Sequence, residues 1–159
     1  MAQPAKLRPV SPPIYTAKTY QTEVSLGFLL GRCMNRITDA IDESLAELGV
    51  TSQQFGVLHA IYRGKARNPS ELARLRFQYS AAITYMLDVL EDKQLLVRKR
   101  SAQDRRVVEL ELTEAGKVLT RACLPLMVEA QNRVLARLNH EEYADLSALL
   151  QRIAGQDDV

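Results

Sequence analysis

The sequence lacks the features that would place the chain in a membrane or outside the cell. No apolar run approaches the roughly 18 residues that a transmembrane helix needs. Residues 1–11 include Lys6 and Arg8, but no apolar stretch follows them, so we expect no secretory signal. The only two cysteines, Cys33 and Cys123, lie far apart. This cysteine usage is typical of the reducing cytoplasm, where we expect the protein to reside.

Motifs of catalysis and metal binding are also absent. His59 and His140 have no cysteine or second histidine nearby, so we expect no metal site. The chain has no glycine-rich phosphate loop, no HExxH and no GxSxG. A hydrolase or transferase would need a clustered nucleophile and base, which two separate histidines do not supply. We therefore expect neither an enzyme nor a bound cofactor.

The chain has little net charge, but that charge is unevenly distributed. It carries 21 basic and 19 acidic residues, a formal sum of +2 that argues at first against a nucleic-acid partner. Residues 60–106 hold eleven basic and five acidic residues, which gives +6 there and −4 elsewhere. Within residues 93–106, six cations stand against Asp104 alone. Such a stripe is typical of a nucleic-acid contact, although an ordinary solvated surface has the same composition.

The length of 159 residues predicts one domain, or one domain with a helical annex, and the chain begins with an arm. Four of the six prolines lie in residues 1–22, which predicts an extended segment over residues 1–24. A first helix follows, ended by Gly49, and we expect Cys33 to lie in its core-facing seam. The seam has helical spacing and consists of Leu26, Leu30, Cys33, Ile37, Ile41, Leu45 and Leu48.

Residues 51–112 predict three shorter helices and a hairpin. Thr51 or Ser52 caps the first helix, and Asn68 caps the second, whose Leu72 and Leu75 face the core. A third helix starts near residue 80 with an apolar face of Ile83, Met86, Leu87 and Leu90. Alternating residues from 95 onward then predict two strands joined by the basic turn 101–106. Three helices followed by a basic hairpin define a mainly α (α+β) fold, a winged helix-turn-helix.

Helices at both ends of the chain predict a partner subunit. Thr113 caps a long helix that reaches about Leu138 and bends at Pro125, and Asn139 opens a last helix. The stripe of that last helix consists of Tyr143, Leu146, Leu149, Leu150 and Ile153. A small winged helix at 51–112 cannot cover all these apolar stripes by itself. We therefore expect dimerisation helices at 25–50 and 113–159 in a homodimer.

Residues 104–116, DRRVVELELTEAG, resemble the wing of the MarR family of bacterial transcription regulators. Residues 68–73 resemble that family's helix opening, and residues 84–97 its recognition helix and the following strand. The resemblance covers residues 26–153 and implies a homodimeric repressor that binds a palindromic operator. It also implies release by a small effector, an aromatic acid or a phenol. The alternative is a DNA-binding protein of the same fold without an effector pocket, constitutive or architectural.

The resemblance implies roles for individual residues. Arg106 would enter the minor groove, Arg105 and Lys99 would contact phosphates, and Asp104 would orient the wing arginines. The other DNA-binding candidates are Ser70, for which plain helix capping is equally open, Gln78, Ser80, Ala81, Thr84 and Tyr85. The candidates for an effector pocket, each of which could instead belong to an ordinary surface ion pair, are Arg32, Arg36, His59 and Tyr62. Family members carry a small or glycine-containing turn where this chain has Arg76-Phe77-Gln78-Tyr79, and many carry arginine in place of Tyr85.

Overall fold

The computed structural model describes residues 12–76, 80–100 and 108–155, with Arg76 and Ser80 described by their backbone only. Within these ranges the chain is mainly helical, with one antiparallel hairpin, as the sequence predicts. The elements are α1 Leu26–Leu45, α2 Ser52–Tyr62, α3 Pro69–Arg76, α4 Ser80–Asp92, β1 Leu96–Arg100, β2 Val108–Leu112, α5 Glu114–Leu135 and α6 His140–Ile153. Short 3-10 helices form at Thr22–Val24 and Ala46–Leu48.

The described residues up to Asn35 form one compact unit, and those from Arg36 onward form another. In the first unit the Tyr15 hydroxyl accepts a hydrogen bond from the Leu26 N–H at 3.0 Å, at the start of α1. Of residues 12–35, only Ser25 is buried. Cys33 is therefore exposed in the protomer, and the expectation that it is a core residue is wrong. The helical spacing placed it on an apolar seam, but no described residue of its own unit covers that part of the seam.

The core of the second unit collects the buried faces of several helices. The predicted apolar face of α4 is buried, which confirms it, and Cys123 is buried as well, with a thiol pKa that burial raises. Leu72 of α3 is buried, whereas Leu75, predicted to face the core, is 47% exposed. The core side of α3 runs through Leu72 and Ala73. Leu75 lies about 60° around the helix from Leu72, on the side away from Ala73, and is consequently at the edge of the core side.

All four predicted N-caps are confirmed, each by a side-chain oxygen that accepts a backbone N–H three residues later. The distances are 3.2 Å for Thr51 and Gln54, 2.9 Å for Asn68 and Glu71, 3.0 Å for Thr113 and Gly116, and 2.9 Å for Asn139 and Glu142. These bonds satisfy backbone donors that a helix leaves unpaired in its first turn. The helix after Thr113 ends at Leu135, slightly earlier than predicted.

The end of α4 is a Schellman motif. The Leu95 N–H donates to the Leu90 carbonyl at 3.0 Å, and the Gln94 N–H donates to the Glu91 carbonyl at 2.8 Å. Gln94 has a φ of 58°, the left-handed conformation that this motif requires and that costs a residue with a Cβ. Gln94 has a Cβ, so the backbone at the end of α4 is strained, whereas a glycine at this position would not be.

Replacing Gln94 with glycine should therefore stabilise the protein. We expect the free energy of unfolding to rise by about 0.5 to 1 kcal/mol, the relief of the left-handed strain less the greater freedom of glycine in the unfolded chain. Urea denaturation followed by circular dichroism measures the change. The control is Gln94→Ala, which keeps a Cβ at positive φ. Equal free energies of unfolding for the glycine and alanine variants would show that the backbone at position 94 is not strained.

The hairpin places α5 against the end of α4. β1 and β2 pair with Leu96 opposite Leu112, which confirms the two predicted strands, and Leu96 and Leu110 are buried. The Leu110 N–H donates to the carbonyl of Arg67 at 2.9 Å, which ties β2 to the segment before α3. Directly after β2, the Thr113 N–H donates to the Leu95 carbonyl at 3.1 Å, so α5 begins in contact with the residues that end α4.

Candidate nucleic-acid interface

The outer face of α4 is open to solvent. Ala81, Thr84 and Tyr85 are exposed, opposite the buried Ile83 and Leu87, and Tyr85 is 72% exposed. All three are DNA-binding candidates, and they share one side of a single helix. A helix that is buried on one face and bare on the other has the form of an element that enters the major groove, which is about 12 Å wide.

Arg98 of β1 connects the hairpin to this helix. Its Nη1 lies 2.6 Å from Oδ1 of Asp88 and 3.4 Å from Oε2 of Glu91. Its Nη2 donates to the carbonyl of Thr84 at 3.2 Å, and its backbone N–H donates to Oε1 of Glu91 at 3.1 Å. In the sequence Arg98 is simply one cation of the basic stripe 93–106. No local pattern pairs it with Asp88, because the partners lie on different elements.

Two other cations of the stripe also have partners within the protein. Nζ of Lys99 lies 2.5 Å from Oε2 of Glu111, across the hairpin, in a pair whose two side chains are about half exposed. Nζ of Lys93 donates to the Gly49 carbonyl at 2.6 Å and to Oε1 of Gln54 at 3.2 Å. The positive charge available to a polyanion on β1 is therefore smaller than the composition suggests. Lys99 as a phosphate contact remains a prediction.

Ser70 lies exposed in the first turn of α3, but it is not the cap of that helix. Asn68 holds the capping position, and its Nδ2 donates to Oε1 of Glu71 at 2.8 Å. Oε2 of Glu71 accepts the Arg67 N–H at 2.6 Å, so the start of α3 is closed by side chains other than Ser70. The capping alternative for Ser70 is wrong because Asn68 supplies the cap, and a phosphate contact stays a prediction.

Several candidates lie where the structure says nothing of their side chains. Ser80 is the first residue of α4 and is described by its backbone only. The remaining four lie outside the described residues, between α3 and α4 or between β1 and β2 along the chain: Gln78, Asp104, Arg105 and Arg106. Their roles stay predictions.

Arg36 and Tyr62, both candidates for an effector pocket, line different hollows. Arg36 borders a hollow between the second half of α1 and α5, where Nη2 of Arg133 donates to Oγ of Ser44 at 2.9 Å. Tyr62 is 41% exposed and borders a hollow between α2, β2 and α5, together with Lys117. Within the second unit of one protomer, these two candidates do not converge.

The other two candidates interact with aromatic rings. The His59 ring stacks on Phe55 with centroids 5.4 Å apart and borders neither of these two hollows. Burial and the nearby charge of Arg63 lower the pKa of His59, which favours a neutral imidazole. Arg32 belongs to the first unit, with its guanidinium carbon 6.0 Å from the centroid of the Phe28 ring.

In the ranges 12–76, 80–100 and 108–155, no three His, Cys, Asp or Glu side chains come together in a group suited to a metal ion. Among the helices of these ranges, none is long and apolar enough to cross a membrane.

Comparisons with known proteins agree on one family. A model of the MarR family matches residues 48–107. The transcriptional regulator MhqR of Bacillus subtilis is 28% identical over 133 residues, which cover 84% of this chain and 92% of MhqR. The repressor MdtR of the same organism is 33% identical over 119 residues, 73% of this chain and 77% of MdtR. A cysteine-to-serine variant of MarR from Escherichia coli, solved with operator DNA, has a TM-score of 0.77 at 28% identity, covering 82% of this chain and 94% of that one.

Proposed function

Because this chain belongs to the MarR family of winged-helix transcription regulators, we propose that it is a repressor that binds a palindromic operator as a homodimer. Proteins of this family bind DNA and are not enzymes, which removes the hydrolase or transferase alternative. The exposed face of α4 with Ala81, Thr84 and Tyr85 is the observation that carries the proposal. It presents polar and aromatic groups to the groove while the opposite face is anchored in the core.

Large apolar side chains that are exposed to solvent in the protomer support the proposed homodimer. In the first unit the exposed large apolar residues on α1 are Leu26, Phe28, Leu29, Leu30 and Met34. On α6 they are Tyr143, Leu146, Leu149 and Ile153. A monomer rarely exposes so many large apolar groups, and a second copy related by a two-fold axis would cover them. Such a dimer also presents two α4 helices to the two halves of a palindrome.

We further propose that a small aromatic acid or phenol releases the operator. In the hollow of Arg36 and Arg133, two acids, Asp39 and Glu43, offset the two cations. The hollow of Tyr62 and Lys117 has one acid, Glu111, and an apolar wall of Ile61, Leu110 and Leu112, so it is the better candidate. A cation next to an apolar wall suits an aromatic carboxylate. A ligand that prefers a dimer with the wrong half-site spacing weakens DNA binding by that preference alone.

Thermal unfolding with a panel of benzoates and phenols separates this proposal from a constitutive DNA-binding protein. A true effector stabilises the folded dimer by about 2.7 kcal/mol at a hundred times its dissociation constant. The same compound should lower the affinity for operator DNA. If no compound does both, the constitutive or architectural alternative is favoured.

Selection of bound fragments from genomic DNA tests DNA recognition, with Arg106→Ala as the critical variant. We expect the wild-type protein to retain a small set of fragments that share an inverted repeat.

Loss of the Arg106 side chain, predicted to enter the minor groove, should cost about 1 to 3 kcal/mol of binding free energy, with fold and dimer intact. Arg121→Ala on α5, an exposed arginine outside the wing, is the control. Wild-type affinity in Arg106→Ala would rule out the wing assignment, and retention of unrelated fragments would rule out a specific operator.

A further inference from the structure

We propose that Arg98 is a positioning residue that fixes the orientation of the hairpin relative to α4, so that both elements reach DNA together. This inference rests on the proposed function, DNA binding. Arg98 holds the two contact elements, the hairpin and α4, in register and does not itself contact DNA.

The contacts of Arg98 extend along α4. Its guanidinium and backbone N–H together reach Thr84, Asp88 and Glu91, which are spaced by four and three residues and so lie on one side of the helix. At about 1.5 Å per residue, this stripe spans roughly 10 Å of the helix axis. Several bonds spread along that length oppose both sliding and rotation of the helix against β1, which a single bond would not.

The geometry of the guanidinium suits this task. It is planar, with donors in a rigid fork, and here its two terminal nitrogens serve different acceptors. Nη1 forms the ion pair with Oδ1 of Asp88, and the Thr84 carbonyl accepts a hydrogen bond from Nη2. The charged side chains are partly exposed, 26% for Arg98 and 52% for Asp88, so the pair adds little to global stability. Its main consequence is orientation.

Charge and orientation make opposite predictions for Asp88. A carboxylate on α4 repels the phosphates of bound DNA, so on electrostatic grounds its removal should tighten binding. If instead Asp88 holds Arg98 in place, its removal loosens the hairpin against the helix. Binding to DNA must then align two loosely connected elements, and the conformational entropy that they lose weakens the binding. The sign of the change therefore distinguishes positioning from simple charge.

The decisive variant is Asp88→Asn, measured by fluorescence anisotropy on the selected operator. We expect roughly tenfold weaker binding, with the urea midpoint near that of the wild type. The matched control is Glu111→Gln, the same carboxylate-to-amide change in the neighbouring pair with Lys99, which joins strand to strand. It should bind as tightly as the wild type or more tightly, because it frees a cation.

Arg98→Lys provides a second, independent variant that keeps the charge and loses the fork. We expect it to weaken binding like Asp88→Asn, and hydroxyl-radical footprints of both variants should lose protection at the wing while central protection by α4 persists. Binding by Asp88→Asn or Arg98→Lys as tight as that of Glu111→Gln would overturn the inference alone. Failure of the wild-type protein to select any operator would overturn the proposed function, and this inference with it.

Discussion

Replacing Gly116 with alanine is expected to lower the free energy of unfolding by about 3 kcal/mol or more. Gly116 is buried in the first turn of α5, and a Cβ built on it overlaps the carbonyl oxygen of Leu95. That carbonyl is backbone and accepts the Thr113 N–H at 3.1 Å. The Thr113 hydroxyl also donates to the Gln94 carbonyl at 2.8 Å. The added methyl group can be accommodated only by moving α5 away, which breaks these bonds.

Urea denaturation of Gly116→Ala measures this effect against a second glycine-to-alanine change. Gly27 lies in the first turn of α1, and a Cβ there meets nothing within 4 Å. Gly27→Ala should be neutral or slightly stabilising, since alanine favours helix by up to about 1 kcal/mol. If Gly116→Ala unfolds at the wild-type urea concentration, α5 does not approach the Leu95 carbonyl closely enough to exclude a Cβ.

Replacing Tyr85 with alanine is expected to change which operator sequences the protein prefers. Tyr85 is 72% exposed on the outer face of α4, so its loss should alter stability by less than about 0.5 kcal/mol. A side chain that reads a base edge contributes about 1 to 3 kcal/mol of discrimination at that position. We therefore expect a changed base preference at one position of each half-site, with the rest of the operator still recognised.

Lys99→Ala is the comparison for Tyr85→Ala, because Lys99 is predicted to contact phosphate and pairs with Glu111 in the free protein. Its loss should weaken all sequences about equally and reduce the salt dependence of binding. Selection from a library with randomised half-sites gives the preference of each variant. If both variants weaken every sequence to the same extent, α4 does not read bases through Tyr85.

Much of the secondary structure was predictable because its signals act over short distances. A cap such as Asn68 or Thr113 bonds to an N–H three residues away, so the residue type and its position suffice to place a helix start. The apolar face of α4 follows from helical spacing, and β1 and β2 follow from the two-residue period of a strand. The DRR and LTxxG segments predicted the family without showing why a glycine stands at 116.

The candidate site was less predictable, because its interactions join distant parts of the chain. Asp88 and Arg98 lie on a helix and a strand, and the Lys93 side chain reaches the Gly49 carbonyl 44 residues earlier. Composition counted both cations as available charge. In the structure Arg98 is paired with two carboxylates, whereas Lys93 donates to uncharged oxygens and keeps its charge.

Burial likewise depends on contacts between distant parts of the chain. Cys33 and Leu75 have apolar character and helical spacing, yet both are exposed in the protomer, because burial depends on what another element places over them. The starts of helices and strands, their apolar faces and the concentration of basic residues all follow from residue order. Which of those faces are covered and which charges are paired with carboxylates follows from the fold alone. Caps and periodicity act between neighbours in the chain, whereas ion pairs and burial depend on distances in space that folding creates.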